Sequence, residues 1–288
     1  MRMVIVIVGF LMRVLAFFLI IGWSIIGCVS QPSLTVKAVQ QGIFDTKQRT
    51  FISYPDLLMR LRDTPMVLIG EIHDQISHHV AEQKIILDLF EYNQLKSVML
   101  EMIPSSQQAV LSQAQRLLRL NHQNDDSIIK RVLQWDNKWD WQQYGKLLSL
   151  IANSTINLYG ANLDKNEIKV LWAGAYPLQG RLSTSNTVKQ RLRKLMNSYT
   201  AQHSDSNSQP EIIDKLIEIQ QFKDRRMAET LIKNHKPSLL IAGRYHVSKL
   251  FGVPLHLYDY QYIDYKVVIL TDKLDAINFE EADYIWVL

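Results

Sequence analysis

The chain has 288 residues, 47% of them hydrophobic and 21% charged, and a formal net charge of +4. That length and composition supply a sizeable core and exclude an intrinsically disordered chain. The small positive balance, with no interleaving of basic and aromatic residues, sets nucleic-acid binding aside.

Residues 1–27 read as a secretory signal peptide: Arg2 and Arg13, an apolar run from Val14 to Ile26, then Gly27 directly before Cys28. A small residue before the only cysteine fits a bacterial lipoprotein cleavage site, making Cys28 the lipid-carrying first residue of a 261-residue mature chain. The competing reading is a transmembrane anchor, since Val4 to Ile26 is almost long enough to span a bilayer, but Arg13 interrupts it. Loss of the two arginines lowers the net charge from +4 to +2. Several acyl chains, palmitate among them, would hold the protein to a membrane surface without crossing it. Val29, standing where an Asp would signal retention, favours the periplasmic face of the outer membrane of a Gram-negative bacterium. Acylated Cys28 leaves no thiol for a disulfide or a cysteine metal site.

Residues 28–42 are a polar tether. Ile43–Ile52 holds two strand-like runs around Asp45-Thr46-Lys47-Gln48, a hairpin pattern. Ser53-Tyr54-Pro55-Asp56 starts a helix, with Ser as N-cap and Asp three residues on, and Leu57, Leu58 and Leu61 form its apolar face. Met66–Ile69 is a buried strand, His79–Phe90 a helix and Lys96–Glu101 a second strand; this βαβ unit requires a parallel sheet. Residues 105–153 lack strand-like runs and read as a small all-helical inserted subdomain, with Trp135, Trp139, Trp141 and Tyr144 crowded near its end. The sheet resumes at Asn157–Gly160. Helices follow over Lys165–Trp172, Asn186–Gln202 (basic) and Glu211–His235, with a loop over Ser204–Pro210. Ser238–Ile241 is a buried strand, Tyr265–Leu270 a last strand near an edge, and Tyr284–Leu288 a buried tail. The expected fold is therefore α/β: a mostly parallel sheet flanked by helices, built from 43–104 and 154–288, with 105–153 inserted.

Two stretches say the same thing. Met66–His73 and Leu239–His246 are each an apolar run followed by Gly-x-x-His. The glycine opens a tight turn at the strand's end, and the histidine then stands at the carboxyl edge of the sheet, where open α/β folds bind ligands. If the strands are neighbours, Glu71, His73, Glu101, Asn162 and His246 converge on one patch. His78 and His79 start the adjacent helix and join the functional group. His122, His203 and His235 read as surface residues, and His256 as a core histidine.

Glu71, His73, Asp74, His78, His79, Glu101 and His246 offer nitrogen and oxygen ligands for a divalent metal, although their spacing is not a metal signature. The competing role is a polar network that pins the strand ends. The sequence has no Gly-x-Gly-x-x-Gly, P-loop or Gly-x-Ser-x-Gly. Haem needs an apolar slot, an axial ligand and cations for its propionates. The parts on offer are Tyr245 with His246, Met102, Arg181 and the basic run Lys189–Lys194; packing is the competing role for Tyr245.

The chain resembles the ChaN family of haem-binding lipoproteins. The resemblance is carried by Ile69-Gly70-Glu71-Ile72-His73-Asp74 with His78-His79, by Trp135, Trp139-Asp140-Trp141 and Tyr144, by Gly160-Ala161-Asn162-Leu163, by Asp224-Arg225-Arg226-Met227-Ala228-Glu229, and by Gly243-x-x-His246 with Gly252-Val253-Pro254-Leu255-His256. It implies a homodimer holding two haems face to face, with iron coordinated by tyrosine, and a role in haem or iron uptake. On that basis Tyr245, His246, His73, His78 and His79 are the expected haem-binding residues, with Tyr245 either the iron ligand or a residue that only fills space. The wider superfamily includes Tiki proteases and erythromycin esterases, which implies an alternative: a metal-dependent hydrolase of peptide or ester bonds using Glu71, His73, Glu101 and His246. Two positions depart from the family pattern: Asp164-Lys165 stands where Pro-Arg is expected, and Tyr245 where a small residue is expected.

Overall fold

The computed structural model describes residues 41–92, 95–203 and 210–288, with the side chains of 199–203 excepted. The signal peptide, Cys28 and nearly all of the tether lie outside the described residues, as does most of the loop expected at 204–210. Among the described residues no helix is long and apolar enough to cross a membrane.

Eight strands form one sheet: β1 (Gly42–Asp45), β2 (Thr50–Ile52), β3 (Met66–Glu71), β4 (Ser97–Pro104), β5 (Asn157–Asn162), β6 (Ser238–Gly243), β7 (Lys266–Thr271) and β8 (Tyr284–Val287). Their order is β2-β1-β8-β7-β3-β6-β4-β5. From β8 to β5 every neighbouring pair is parallel, and only β1 runs antiparallel to its neighbours. The strand expected near an edge, Tyr265–Leu270, is instead β7, between β8 and β3. The last segment, β8, pairs outside it and carries the hairpin, so the tail shields β7 from solvent.

Among the described residues ten helices cover the sheet: α1 (Tyr54–Arg62), α2 (Ile76–Glu91), α3 (Gln108–Leu120), α4 (Asp126–Val132), α5 (Trp141–Asn153), α6 (Lys165–Gly174), α7 (Asn186–His203), α8 (Pro210–Lys233), α9 (Arg244–Val247) and α10 (Val253–Asp259). Strand alternation sends successive residues to opposite faces. Val67, Ile69, Val98, Leu100, Leu239 and Ile241 enter one core with α1 to α5. Met66, Leu68, Met99, Leu240 and Ala242 enter a second core with Met227, Ala228 and Leu231 of α8 and Val253 and Leu257 of α10. Segment 105–153 is helical, and its Leu111, Leu118, Ile129, Tyr144 and Leu148 share the first core with the sheet.

Local chemistry sets the helix starts. Ser53 caps α1: Asp56 N–H donates to its Oγ at 3.3 Å, and Ser53 N–H donates back to the Asp56 carboxylate. Ser53→Ala is therefore expected to cost about 1 kcal/mol, read as a shift in the urea midpoint at unchanged slope. Helix α2 begins at Ile76, three residues before the expected start, and lacks a capping side chain on Gln75. His78 instead ties the helix to the end of β3: its Nδ1 accepts the Ile72 N–H at 3.0 Å.

Candidate functional site

Strands β3 and β6 are neighbours, with Gly70 opposite Ala242 and Glu71 opposite Gly243. The two Gly-x-x-His stretches therefore end side by side at the carboxyl edge. Their glycines serve a different purpose from the one expected. Neither has a positive φ, and Gly70 lies within β3. A Cβ there would meet Val247 Cγ2 at 2.4 Å and Arg244 Cα at 2.9 Å. Gly70 thus admits α9 against the strand, and Gly243 admits the His73 ring, whose Nε2 would lie 3.0 Å from a Cβ.

Alternation then splits the polar residues into two networks. Glu71 continues the series Val67, Ile69 toward the α2–α5 face, whereas Glu101 points to the α8 face. On the first face Tyr144 donates to Glu71 Oε1 at 2.6 Å, and His73 Nδ1 lies 2.8 Å from the same oxygen. His79 Nδ1 sits 3.1 Å from both Glu71 Oε2 and Glu82 Oε2, and its Nε2 donates to the His73 carbonyl at 3.1 Å. On the second face His246 lies between two acids, with Nε2 3.2 Å from Glu101 Oε1 and Nδ1 2.5 Å from Asp224 Oδ1. The Gly243 N–H donates to Glu101 Oε2 at 2.8 Å. His73 joins the networks, its Nε2 3.9 Å from Glu101.

Electrostatics follow from burial opposed by partners. Burial works against a charge on His246, but Glu101 and Asp224 outweigh it and push the imidazole up to about 10. His79 rises to about 10 in the same way through Glu71 and Glu82. Burial opposes ionisation of Glu101, yet His246 and His73 hold it well below the usual carboxylate range. Burial pushes Asp224 up to about 6, which still leaves it ionised at neutral pH beside its imidazolium.

Several expected site residues are elsewhere. His78 is buried and pushed down to about 4 by burial, so it stays neutral and ties α2 to the end of β3. His78 and His79 are each 1% exposed, which corrects their assignment to a haem surface: neither reaches solvent or the cleft. Asn162 does not converge on the patch either; its amide donates to the Glu101 carbonyl at 2.9 Å and braces the β4–β5 irregularity. Met102 is buried in the first core, and Asp74 is exposed. His256 is the core histidine expected, with Nδ1 accepting from Arg225 Nε at 3.0 Å.

What remains at the surface is an open cleft of about 440 Å³, within the usual range for ligand sites. His73, Gly243, Tyr245 and His246 form its sheet side, and Leu195, Met196, Gln220 and Lys223 line it from α7 and α8. Tyr245 is 38% exposed. Arg244 donates to its hydroxyl at 2.9 Å and lies over its ring. Trp139 packs edge-on to His73 with centroids 4.8 Å apart, and Tyr144 lies against His79 at 4.4 Å. The aromatic-rich end of segment 105–153 thus roofs the first network.

Sequence reasoning missed Glu82, Asp224 and Gln220 as partners of the site. The signal was present for the two acids: each sits on the buried stripe of its helix, Glu82 with Ile85, Ile86 and Leu89, and Asp224 with Met227, Ala228 and Leu231.

Comparison with known proteins bears on this arrangement directly. The family model described as haem-binding uptake, Tiki superfamily, ChaN matches residues 57–257. The structure of cofacial haem binding to ChaN of Campylobacter jejuni is 34% identical, with a TM-score of 0.78 over 85% of this chain and 95% of that one. An erythromycin esterase variant in its open conformation is 14% identical over 80% of this chain and 76% of its own, with a TM-score of 0.45. No curated protein matches the chain. With the model spanning residues 57–257 and a ChaN relative sharing both the sequence and the fold, the chain belongs to the ChaN family of haem-binding uptake proteins in the Tiki superfamily.

Proposed function

We propose that this protein binds haem in the cleft beside Tyr245, as a lipid-anchored component of haem or iron uptake. The observation that carries the reading is the phenol itself. Tyr245 stands in the cleft wall with a guanidinium donating to its oxygen, an arrangement that suits a metal-bound phenolate. Both nitrogens of His246 are engaged by Glu101 and Asp224, which leaves Tyr245 as the better iron ligand. Leu195 and Met196 offer apolar contact to a porphyrin, and Lys223 a cation for its carboxylates. His73 faces the cleft as a neighbouring polar group. Bound haem would supply redox-active iron.

The Campylobacter jejuni relative binds haem cofacially. By that likeness the protein acts as a homodimer that closes two open clefts over a pair of haems. The basic and apolar stretch that ends at Gly27-Cys28 supports an acylated Cys28 and a place at the periplasmic face of the outer membrane.

Haem titration of the purified protein tests this reading. Wild type is expected to give a Soret band with a tyrosinate charge-transfer band and to double its mass by sedimentation. Tyr245→Phe is expected to lose the charge-transfer band and at least tenfold in affinity. A Tyr245→Phe spectrum identical to wild type would remove Tyr245 as ligand, and no spectral change in wild type would end the haem reading.

The second reading is a metal-dependent hydrolase. It is favoured by Glu101, whose carboxylate faces Nε2 of both His73 and His246. Metal-stimulated ester or peptide hydrolysis abolished by His73→Ala would establish it.

A further inference from the structure

Beneath the cleft, on the opposite face of the sheet edge, three buried side chains aim at one point. Glu71 comes from the end of β3, and His79 and Glu82 from the first turns of α2. Their donor atoms all lie within 4.8 Å of one another. The three residues are 1%, 1% and 0% exposed. As a set of hydrogen bonds the arrangement is poor. One imidazole nitrogen, with one proton to give, faces two carboxylates at equal distances of 3.1 Å. Glu82 Oε1 remains buried without a hydrogen-bond partner, and Glu71 Oε2 has only the shared His79 nitrogen. Unpaired carboxylate oxygens in a dry site are costly.

As a ligand set the same arrangement supplies three donors of a tetrahedral shell, whose fourth position a water or the second oxygen of a carboxylate fills. Bonds of about 2 Å in a tetrahedral shell place neighbouring donors roughly 3.3 Å apart, close to the spacing of His79 Nδ1 from each carboxylate. Two carboxylates and a neutral imidazole balance a divalent cation. His79 donates its other nitrogen to the His73 carbonyl, the outer-shell contact that fixes a ligating histidine's tautomer. Tyr144 donates to the far oxygen of Glu71 and so orients that carboxylate.

We propose that Glu71, His79 and Glu82 bind a divalent first-row transition metal at a buried, structural site distinct from the cleft. The cation clamps the start of α2 to the end of β3. In doing so it fixes the backbone of His73, which is bonded to both Glu71 and His79. Burial of all three residues away from solvent suits a structural rather than a catalytic role, and the binding free energy appears as folding stability. Nitrogen with carboxylate donors suits Zn²⁺, Fe²⁺ or Mn²⁺.

The test is metal analysis of the full protein refolded with Zn²⁺, Mn²⁺ or Fe²⁺, alongside Glu82→Gln, His79→Asn and Glu101→Gln variants. Wild type is expected to retain one equivalent through gel filtration and to lose thermal stability when a chelator is present during refolding. Glu82→Gln and His79→Asn should retain at least tenfold less metal and become insensitive to chelator, whereas Glu101→Gln, which removes no ligand of this site, should keep its equivalent. Refolding with Co²⁺ should give wild type an intense tetrahedral ligand-field band, and this decides the matter if either variant fails to fold. Metal-free wild type, a weak aquo-like cobalt spectrum, or loss of metal in Glu101→Gln but not in Glu82→Gln would overturn the proposal.

Discussion

At pH 6, His246→Ala is expected to lose about 3–5 kcal/mol of folding stability, the usual cost of removing one partner from a buried charged pair. The imidazole lies directly between Glu101 and Asp224. Without it two carboxylates are stranded, 5% and 0% exposed, and at least one must take up a proton to remain buried. The loss should depend on pH in a way that identifies its cause. His246 is raised from 6.5 to about 10 in the folded protein, so its contribution is complete below pH 6.5 and disappears as pH rises through 10. Glu101 is depressed below its ordinary 4.5, so its contribution is present above that value and is lost as pH falls. Asp224, raised to about 6, joins the pair as a carboxylate only at the upper end of the range that these two groups set, so the gap between wild type and variant should be widest near pH 6 to 6.5 and narrow on both sides. Urea unfolding across this range reads it directly. Adding Glu101→Gln to His246→Ala should recover part of the loss, because it removes one stranded charge. A gap that stays constant from pH 5 to pH 10 would mean that the imidazole is merely filling space.

Much of this arrangement was legible in the sequence, and the reasons are physical. Strands buried on both faces appear as uninterrupted apolar runs, so β3, β4 and β6 stood out, and a shared Gly-x-x-His pattern announced two equivalent strand ends. What periodicity does not encode is the face. Glu71 and Glu101 both sit at strand ends, yet alternation directs them to opposite sides of the sheet, so the single expected patch resolves into two networks linked by His73. Helix interiors hid the remaining partners: Glu82 and Asp224 are acids on apolar stripes, visible only if a buried charge is taken as a sign of a partner. His78 and His79 were misplaced because α2 starts a turn earlier than its caps suggest, which draws both rings inside. The position of β7 was not readable, since an edge strand and a central parallel strand share the same composition when a later segment covers the edge.

Gly70→Ala is expected to destabilise the protein by about 1–3 kcal/mol through overpacking and to weaken haem binding at a position that touches no haem. The added methyl would lie 2.4 Å from Val247 Cγ2 and 2.9 Å from Arg244 Cα. A side chain can rotate away, but the Arg244 backbone has little freedom. It follows Gly243, which is paired with Glu71 across the sheet and bonded through its N–H to Glu101. The strain must therefore move α9 away from β3, and α9 carries both Tyr245 and His246. Movement of a few tenths of an ångström would lengthen the His246 contacts with Glu101 and Asp224 and turn the Tyr245 phenol relative to His73. Val247→Ala in the same chain removes the shorter clash and leaves the backbone one, so the double variant should regain part of the lost stability and less of the haem affinity. Unfolding midpoints and haem titrations of the two variants measure these effects separately. Wild-type values for both in Gly70→Ala would show that α9 does not depend on this close approach, and that the glycine serves some end other than bringing the two histidine turns together.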